Sequence, residues 1–185
     1  MIEIISGTNR AGCYSLRIAE LLLAAYRAHE VETNILNLQE LPAAICEPTA
    51  YASKPVAFLP FQERVLAAGG LHVVTPEYNG GMPGALKLFI DMLKFPESFE
   101  GKPVAFTGVA SGQWGAVRPV EQLQLVFGYR NALTYPQRVF IPGVQSKFED
   151  AGSFNDPELL QRLNDQAGGF ARFVNRLADS GSGPG

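Results

Sequence analysis

Strand-like and helix-like stretches alternate along this chain from its second residue to its last helix, and that alternation most narrows what it can fold into. Ile2 to Ile5 is a short apolar run closed by Ser6-Gly7. Leu16, Ile18, Ala19, Leu22, Leu23 and Tyr26 then recur on one helical face, with Arg17, Glu20 and Arg27 on the others. Val31 to Leu38 alternates as a second strand. A proline-rich connection around Pro42, Pro48, Pro55 and Pro60 leads to a helix from about Phe58 to Ala68, closed by Gly69-Gly70. Leu71 to Thr75 is a third strand, apolar in the manner of a parallel strand buried on both faces. A helix Gly84 to Lys94, a strand Pro103 to Val109, a helix Val117 to Asn131 and a fifth strand Thr134 to Ile141 follow. Asp156-Pro157-Glu158 opens the last helix with an N-cap, a proline at the first helical position and an acidic first turn; the helix runs to about Leu177.

Five strands separated by helices imply a parallel sheet built from right-handed βαβ units. Two architectures suit this size. One is the flavodoxin-like fold, three layers with a five-stranded parallel sheet of order 2-1-3-4-5 and helices on both faces; the other is a truncated Rossmann sheet. In either, ligands sit outside the carboxyl ends of the strands where the strand order reverses, so the loops after strands one, three and four must be read together. A chain of 185 residues suits one domain, expected over 1–178, with the Gly/Ser/Pro-rich residues 179–185 as a disordered tail.

Apolar runs of roughly five to seven residues are too short to cross a bilayer. The chain enters a strand at once, with no basic n-region and no apolar h-region, so no secretory signal is expected. A net charge of −3, scattered along the chain, argues against nucleic acid or an anionic membrane as a main partner. Cys13 and Cys46 make no disulfide framework and match no metal spacing, so a reduced, cytoplasmic setting is expected and no metal site.

The loop after the first strand reads Ser6-Gly7-Thr8-Asn9-Arg10-Ala11-Gly12-Cys13-Tyr14-Ser15. Its glycines let the backbone turn tightly with N–H groups pointing inward, and hydroxyls at Ser6, Thr8 and Ser15 and the Arg10 guanidinium surround that space. A helix N-terminus adds roughly half a positive charge. This is the chemistry of a phosphate monoester site. It is not a Walker A loop, because no Gly-Lys-Ser/Thr follows, and not Gly-x-Gly-x-x-Gly. The second strand ends Asn37-Leu38-Gln39, with no acidic residue to hold an adenosine ribose, which disfavours the Rossmann alternative.

After the third strand, Thr75-Pro76-Glu77-Tyr78-Asn79-Gly80-Gly81-Met82-Pro83 offers an irregular path, the flat face of Tyr78, and backbone N–H groups from Asn79 to Gly81 free to donate. An isoalloxazine ring needs such a wall and such donors. Glu77 reads as a structural acceptor that ties the loop together. After the fourth strand, the small residues of Ala110-Ser111-Gly112-Gln113-Trp114-Gly115 let the backbone approach a ring edge, where N–H groups can stabilise charge that develops on reduction. His72, within the apolar third strand, reads as a satisfied core residue, and His29 as a surface group.

Gly7-Thr8-Asn9-Arg10 with Ser15, Pro76-Glu77-Tyr78-Asn79-Gly80, Pro83-Gly84-x-Leu86-Lys87 and Ser111-Gly112-x-x-Gly115 together resemble the NADPH-dependent FMN reductase family, which includes azobenzene, quinone and chromate reductases. The resemblance implies a flavodoxin-like fold, non-covalent FMN, NADPH or NADH as donor, and a homodimer or homotetramer. It implies two-electron, ping-pong hydride transfer to a small planar acceptor such as a quinone, an azo compound or free flavin. By that likeness Thr8, Arg10 and Ser15 hold phosphate within a cradle that also includes Ser6, Asn9 and Cys13. Pro76, Glu77, Tyr78, Asn79 and Gly80 line the ring, and Ser111, Gly112 and Gln113 cover the pyrimidine edge. Cys13 stands where many relatives carry serine, and Gly81 where serine is common. No side chain is assigned a catalytic role. The rival readings are a flavodoxin-type electron carrier and a flavin-free interaction domain.

Overall fold

The computed structural model describes residues 1–149 and 152–181. Its strands are β1 (Ile2–Ser6), β2 (Thr33–Asn37), β3 (Gly70–Pro76), β4 (Pro103–Val109), β5 (Leu133–Thr134) and β6 (Val139–Ile141). All pairings are parallel, in the order β2-β1-β3-β4-β5, with β6 also on β4. The expected 2-1-3-4-5 order is therefore present. The expected fifth strand, however, is broken in two. The Tyr135 amide still donates to the Val104 carbonyl at 2.8 Å, but Pro136 has no N–H to continue the ladder. The Gln137 carbonyl is taken instead by Gln166 Nε2 at 3.1 Å.

Helices α1 (Tyr14–Ala28) and α5 (Pro157–Gly181) cover one face of the sheet; α2 (Leu59–Ala67), α3 (Gly84–Met92) and α4 (Val117–Tyr129) cover the other. The strands feed both layers by their two-residue period. Leu71, Val73, Val104 and Phe106 enter the core beneath α2, α3 and α4, while Val74, Ala105 and Val109 enter the core beneath α1 and α5. Asp156 caps α5 as expected, its Oδ1 accepting from the Leu159 amide at 3.0 Å. The helix continues through Gly181, so residues 179–181, expected in the tail, extend it; residues 182–185 lie outside the described residues.

Two hydrogen-bonded polar clusters lie within these layers. Glu3 is fully buried and accepts two hydrogen bonds from Arg64 on α2, through Nε and Nη2; Arg64 Nη2 also donates to the Ile35 carbonyl at 2.8 Å. Burial raises the Glu3 carboxyl above its ordinary range against the pull of Arg64. Beneath α1 and α5, Thr107 donates its hydroxyl to Gln166 Oε1 at 2.8 Å and so accepts from His72 Nε2 at 2.9 Å. That leaves His72 Nδ1 to accept from the Tyr26 hydroxyl at 2.7 Å. Every polar atom of the imidazole is paired, and burial lowers its pKa to about 3. His72 is thus the satisfied core residue expected of it.

Candidate functional site

Sheet register brings the carboxyl ends of β1, β3, β4 and β6 to one edge: Ser6 stands opposite Val74, Pro76 opposite Val109, and Val109 opposite Ile141. The loop after β1 is pinned to β3 there. The Gly7 amide donates to the Val74 carbonyl at 2.8 Å, and a Cβ at Gly7 would lie 2.7 Å from that oxygen. Only glycine lets the chain turn this close to its neighbour. Thr8 is buried and spends its hydroxyl hydrogen on Tyr78 Oη at 3.1 Å, while its Oγ1 accepts from the Arg10 amide at 3.3 Å. It thereby joins the first loop to the second.

Cys13, extended at the N-cap of α1, makes no side-chain cap; its sulfur accepts from Gln39 Nε2 at 3.6 Å. The first turn of a 15-residue helix is therefore left without a side-chain acceptor for its N–H groups. Beside it Ser15 is 1% exposed, and its Oγ has no hydrogen-bond partner. Ser6, fully buried at the end of β1, has an unpartnered Oγ as well.

In the second loop, Tyr78 and Gly81 exchange both backbone hydrogen bonds, at 3.0 Å each. Asn79 and Gly80 form the turn between them with φ of 51° and 75°, the left-handed pair that an Asn-Gly sequence favours. The Gly81 N–H, expected to be free, is spent in closing this turn; those of Asn79 and Gly80 remain. Glu77 accepts from Arg118 Nη1 on α4 at 3.1 Å, the structural acceptor role expected of it. Gln122 Oε1, also on α4, accepts from the Met82 amide at 2.9 Å.

The third loop is strapped to the segment after β6. The Ala110 amide donates to the Ile141 carbonyl at 3.0 Å, the Val144 amide to the Ala110 carbonyl at 3.0 Å, and the Gly143 amide to the Gly112 carbonyl at 3.3 Å. Gln145 Nε2 donates to Ser111 Oγ at 2.6 Å.

Together these loops enclose a cleft of about 190 Å³ whose walls include Arg10, Cys13, Ser15, Pro76, Tyr78 and Ser111. A second recess of about 280 Å³ is lined by Asn79, Gly80, Gly112 and Trp114. The two share Glu77, Ala110 and Ser111 as walls, making one elongated groove. Four expected residues do not line it. Ser6 and Thr8 are buried behind it, Asn9 is exposed outside it, and Gln113 lines a separate cavity with Phe140, Lys147 and Arg162. Val144 and Gln145 line the groove and were not anticipated, because the β6 register that delivers them lies beyond the break at Pro136. The Pro142-Gly143 pair, with Gly143 at φ 56°, was the available signal that the chain turns there.

Residues 1–145 match the NADPH-dependent FMN reductase family. The chain belongs to that family. It is 31% identical over 179 residues to the NAD(P)H-dependent FMN reductase PA1204 of Pseudomonas aeruginosa, covering 94% of both chains. It is 28% identical over 181 residues to a quinone reductase of Escherichia coli K12, covering 95% of this chain and 96% of the relative. In fold it is similar to the flavoenzyme NAD(P)H:(acceptor) oxidoreductase FerB of Paracoccus denitrificans, with a TM-score of 0.80 at 21% identity, covering 95% and 97% of the two chains.

The groove of this reductase fits FMN. A phosphate monoester needs unpaired donors at one end, and the uncapped turn of α1, the orphaned Ser15 hydroxyl and the Arg10 guanidinium are there. A flat ring needs a polar floor with backbone donors, and the Asn79-Gly80 turn and the 110–112 segment provide one. A Cβ at Gly112 would meet nothing within 4 Å, so the backbone there is open to close approach.

Proposed function

We propose that this oxidoreductase holds FMN in the groove, with the phosphate on the first turn of α1 and the ring between the 76–80 and 110–112 loops. Electrons pass from NADPH or NADH to a small planar acceptor: a quinone, an azo compound or a flavin. The observation that carries this reading is Ser15, whose hydroxyl is buried without a partner beside an uncapped helix N-terminus. An orphaned buried hydroxyl costs roughly 1–3 kcal/mol, and a bound phosphate removes that cost.

When bound, FMN would supply the hydride chemistry of a ping-pong exchange between the nicotinamide and the acceptor. The chain supplies placement. Arg10 and Ser15 hold the phosphate end. Thr8 fixes Tyr78 through its 3.1 Å hydrogen bond, and Arg118 fixes the ring loop through Glu77. Asn79 and Gly80 present N–H groups to the ring edge, and no side chain needs to act as a general acid.

Anaerobic mixing of the FMN-loaded protein with NADPH is expected to bleach the flavin absorbance within the mixing time of a turnover experiment. Flavin that stays oxidised defeats the reductase reading, and a stable one-electron semiquinone on dithionite titration would favour a carrier instead.

Two further readings accompany this one. Leu125 and Tyr129 on α4 and nearby Phe95 are exposed apolar side chains, which supports a homodimer or homotetramer, checked by light scattering. Cys13 and Cys46 are free thiols, which supports a reduced, cytoplasmic setting. Among the described residues, no helix is long and apolar enough to cross a membrane.

A further inference from the structure

We infer that Gln145 is a positioning residue for the flavin: it orients the Ser111 hydroxyl so that its hydrogen points into the groove, where it favours reduced over oxidised FMN. This rests on the FMN reading above and adds a residue outside the three loops that define that reading.

Ser111 is one of the few residues that line both halves of the groove, so its side chain stands where the phosphate-end cleft meets the ring recess. A serine hydroxyl has one hydrogen to donate and two lone pairs to accept with. Gln145 Nε2 donates to Ser111 Oγ at 2.6 Å, so one lone pair is occupied and the hydrogen stays free for an acceptor in the groove. Had a carboxylate stood at 145, it would accept that hydrogen and turn Ser111 into an acceptor facing the ring. An aliphatic residue would leave the hydroxyl free to rotate.

The strap keeps this arrangement in register. Three backbone hydrogen bonds, of 3.0, 3.0 and 3.3 Å, bind residues 110 and 112, which flank Ser111, to residues 141, 143 and 144, which lead into Gln145. Gln145 and Ser111 are both exposed, and among the described residues the bond to Ser111 is the side-chain hydrogen bond that Gln145 makes. Reduction of a flavin places negative charge on its pyrimidine edge. A donor fixed in advance at that edge stabilises the charged form more than the neutral one, because no reorganisation is needed when the charge appears.

The test compares the wild-type holoprotein with Gln145→Met, Gln145→Glu, Ser111→Ala and the double variant Ser111→Ala/Gln145→Glu. Oxidised FMN affinity is read by fluorescence quenching, and the two-electron midpoint potential by equilibration with a reference dye. Gln145→Met and Ser111→Ala are expected to lower the preference for reduced flavin by similar factors of threefold to tenfold. Gln145→Glu is expected to lower it tenfold or more, a fall of at least about 30 mV for a two-electron couple. In the double variant the effect of Gln145→Glu is expected to shrink, as coupled neighbours require. Apoprotein Tm should be nearly unchanged in all four.

If the variants weaken oxidised and reduced binding equally, leaving the potential where it was, Gln145 only braces the loop and the inference is overturned. An undiminished Gln145→Glu effect in the Ser111→Ala background overturns it too, because the charge then acts without the serine. Wild-type protein that binds no FMN would instead overturn the parent reading, which keeps the two failures apart.

Discussion

Replacing Ser15 with alanine should change the free protein and the FMN complex in opposite directions. In the free protein the Ser15 hydroxyl is 1% exposed and unpartnered, so it carries an unmet desolvation cost of roughly 1–3 kcal/mol. Ser15→Ala removes that hydroxyl without leaving a cavity of consequence and puts a stronger helix former in the first turn of α1. The apoprotein should therefore hold its stability or gain up to about 1–2 kcal/mol, a rise in Tm of roughly 2–8 °C for a chain of this size. In the complex the same hydroxyl donates to a charged phosphate, a bond worth about 1.5–3 kcal/mol. Losing it should weaken FMN binding by roughly 10- to 150-fold at 1.4 kcal/mol per decade.

Riboflavin, which has the ring but no phosphate, supplies the control. Its affinity should be the same for the wild type and Ser15→Ala. The assays are flavin fluorescence quenching with both ligands and calorimetric melting of the apoprotein. A Tm that falls by several degrees would show that the hydroxyl has a structural partner after all. FMN affinity within threefold of wild type would show that the phosphate sits elsewhere. Either result refutes the reasoning.

Acid should destabilise the fold through His72, held neutral in the core with a pKa of about 3 against roughly 6.5 in the unfolded chain. The unfolded state takes up the proton first, so stability is lost as pH falls below about 6.5, by roughly 2–3 kcal/mol at pH 4.5; the loss between pH 7 and pH 4.5 in urea melts should be larger for the wild type than for His72→Gln by an increment of that order. Arg64→Ala strands the fully buried Glu3 carboxylate and should cost about 3 kcal/mol in urea unfolding, with Glu3→Gln/Arg64→Met recovering most of it. Gly7→Ala forces a methyl to 2.7 Å from the Val74 carbonyl, and should lower Tm while weakening both FMN and riboflavin, since the whole first loop must move.

The layers of this fold are legible in the sequence because burial on both faces leaves so little choice. Leu71 to Thr75 and Pro103 to Val109 are apolar runs that no amphipathic element could explain, and each emerges as a central parallel strand. The edge is harder to read. Thr134 to Ile141 looks like one strand, yet Pro136 breaks it, and the cost of an interrupted ladder is met by a side chain from α5, Gln166, some thirty residues away. The same long-range step hides Val144 and Gln145, whose place in the groove follows from the pairing of β6 with β4 and from no local pattern. The Asn79-Gly80 turn shows a nearer limit. Its residues read as ring-lining from the sequence, but the hairpin geometry that takes up the Gly81 N–H comes from two positive φ angles that act together.

Burial alone does not separate residues of the fold from residues of the groove; among the described residues the buried side-chain oxygens of Ser6, Ser15, Gln62 and Ser98 have no partner, and of these Ser15 lines the groove. His72, Thr107 and Gln166 are as buried as Ser6 and Ser15 and come from the same sheet and its covering helices. Yet the first three close a chain of bonds that runs from the Tyr26 hydroxyl to backbone carbonyls, with distances from 2.7 to 3.1 Å, and no atom is left over for a ligand. Ser6 and Ser15 flank a loop rich in donors, and each keeps an oxygen with nothing to bond. A native interior tolerates few such atoms, because each subtracts from a small net stability. Of the two, Ser15 lines the groove beside an uncapped helix N-terminus, where the proposed phosphate would meet its hydroxyl. His72, read from the sequence as a satisfied core residue, stands outside the site by the same criterion: its partners are already present.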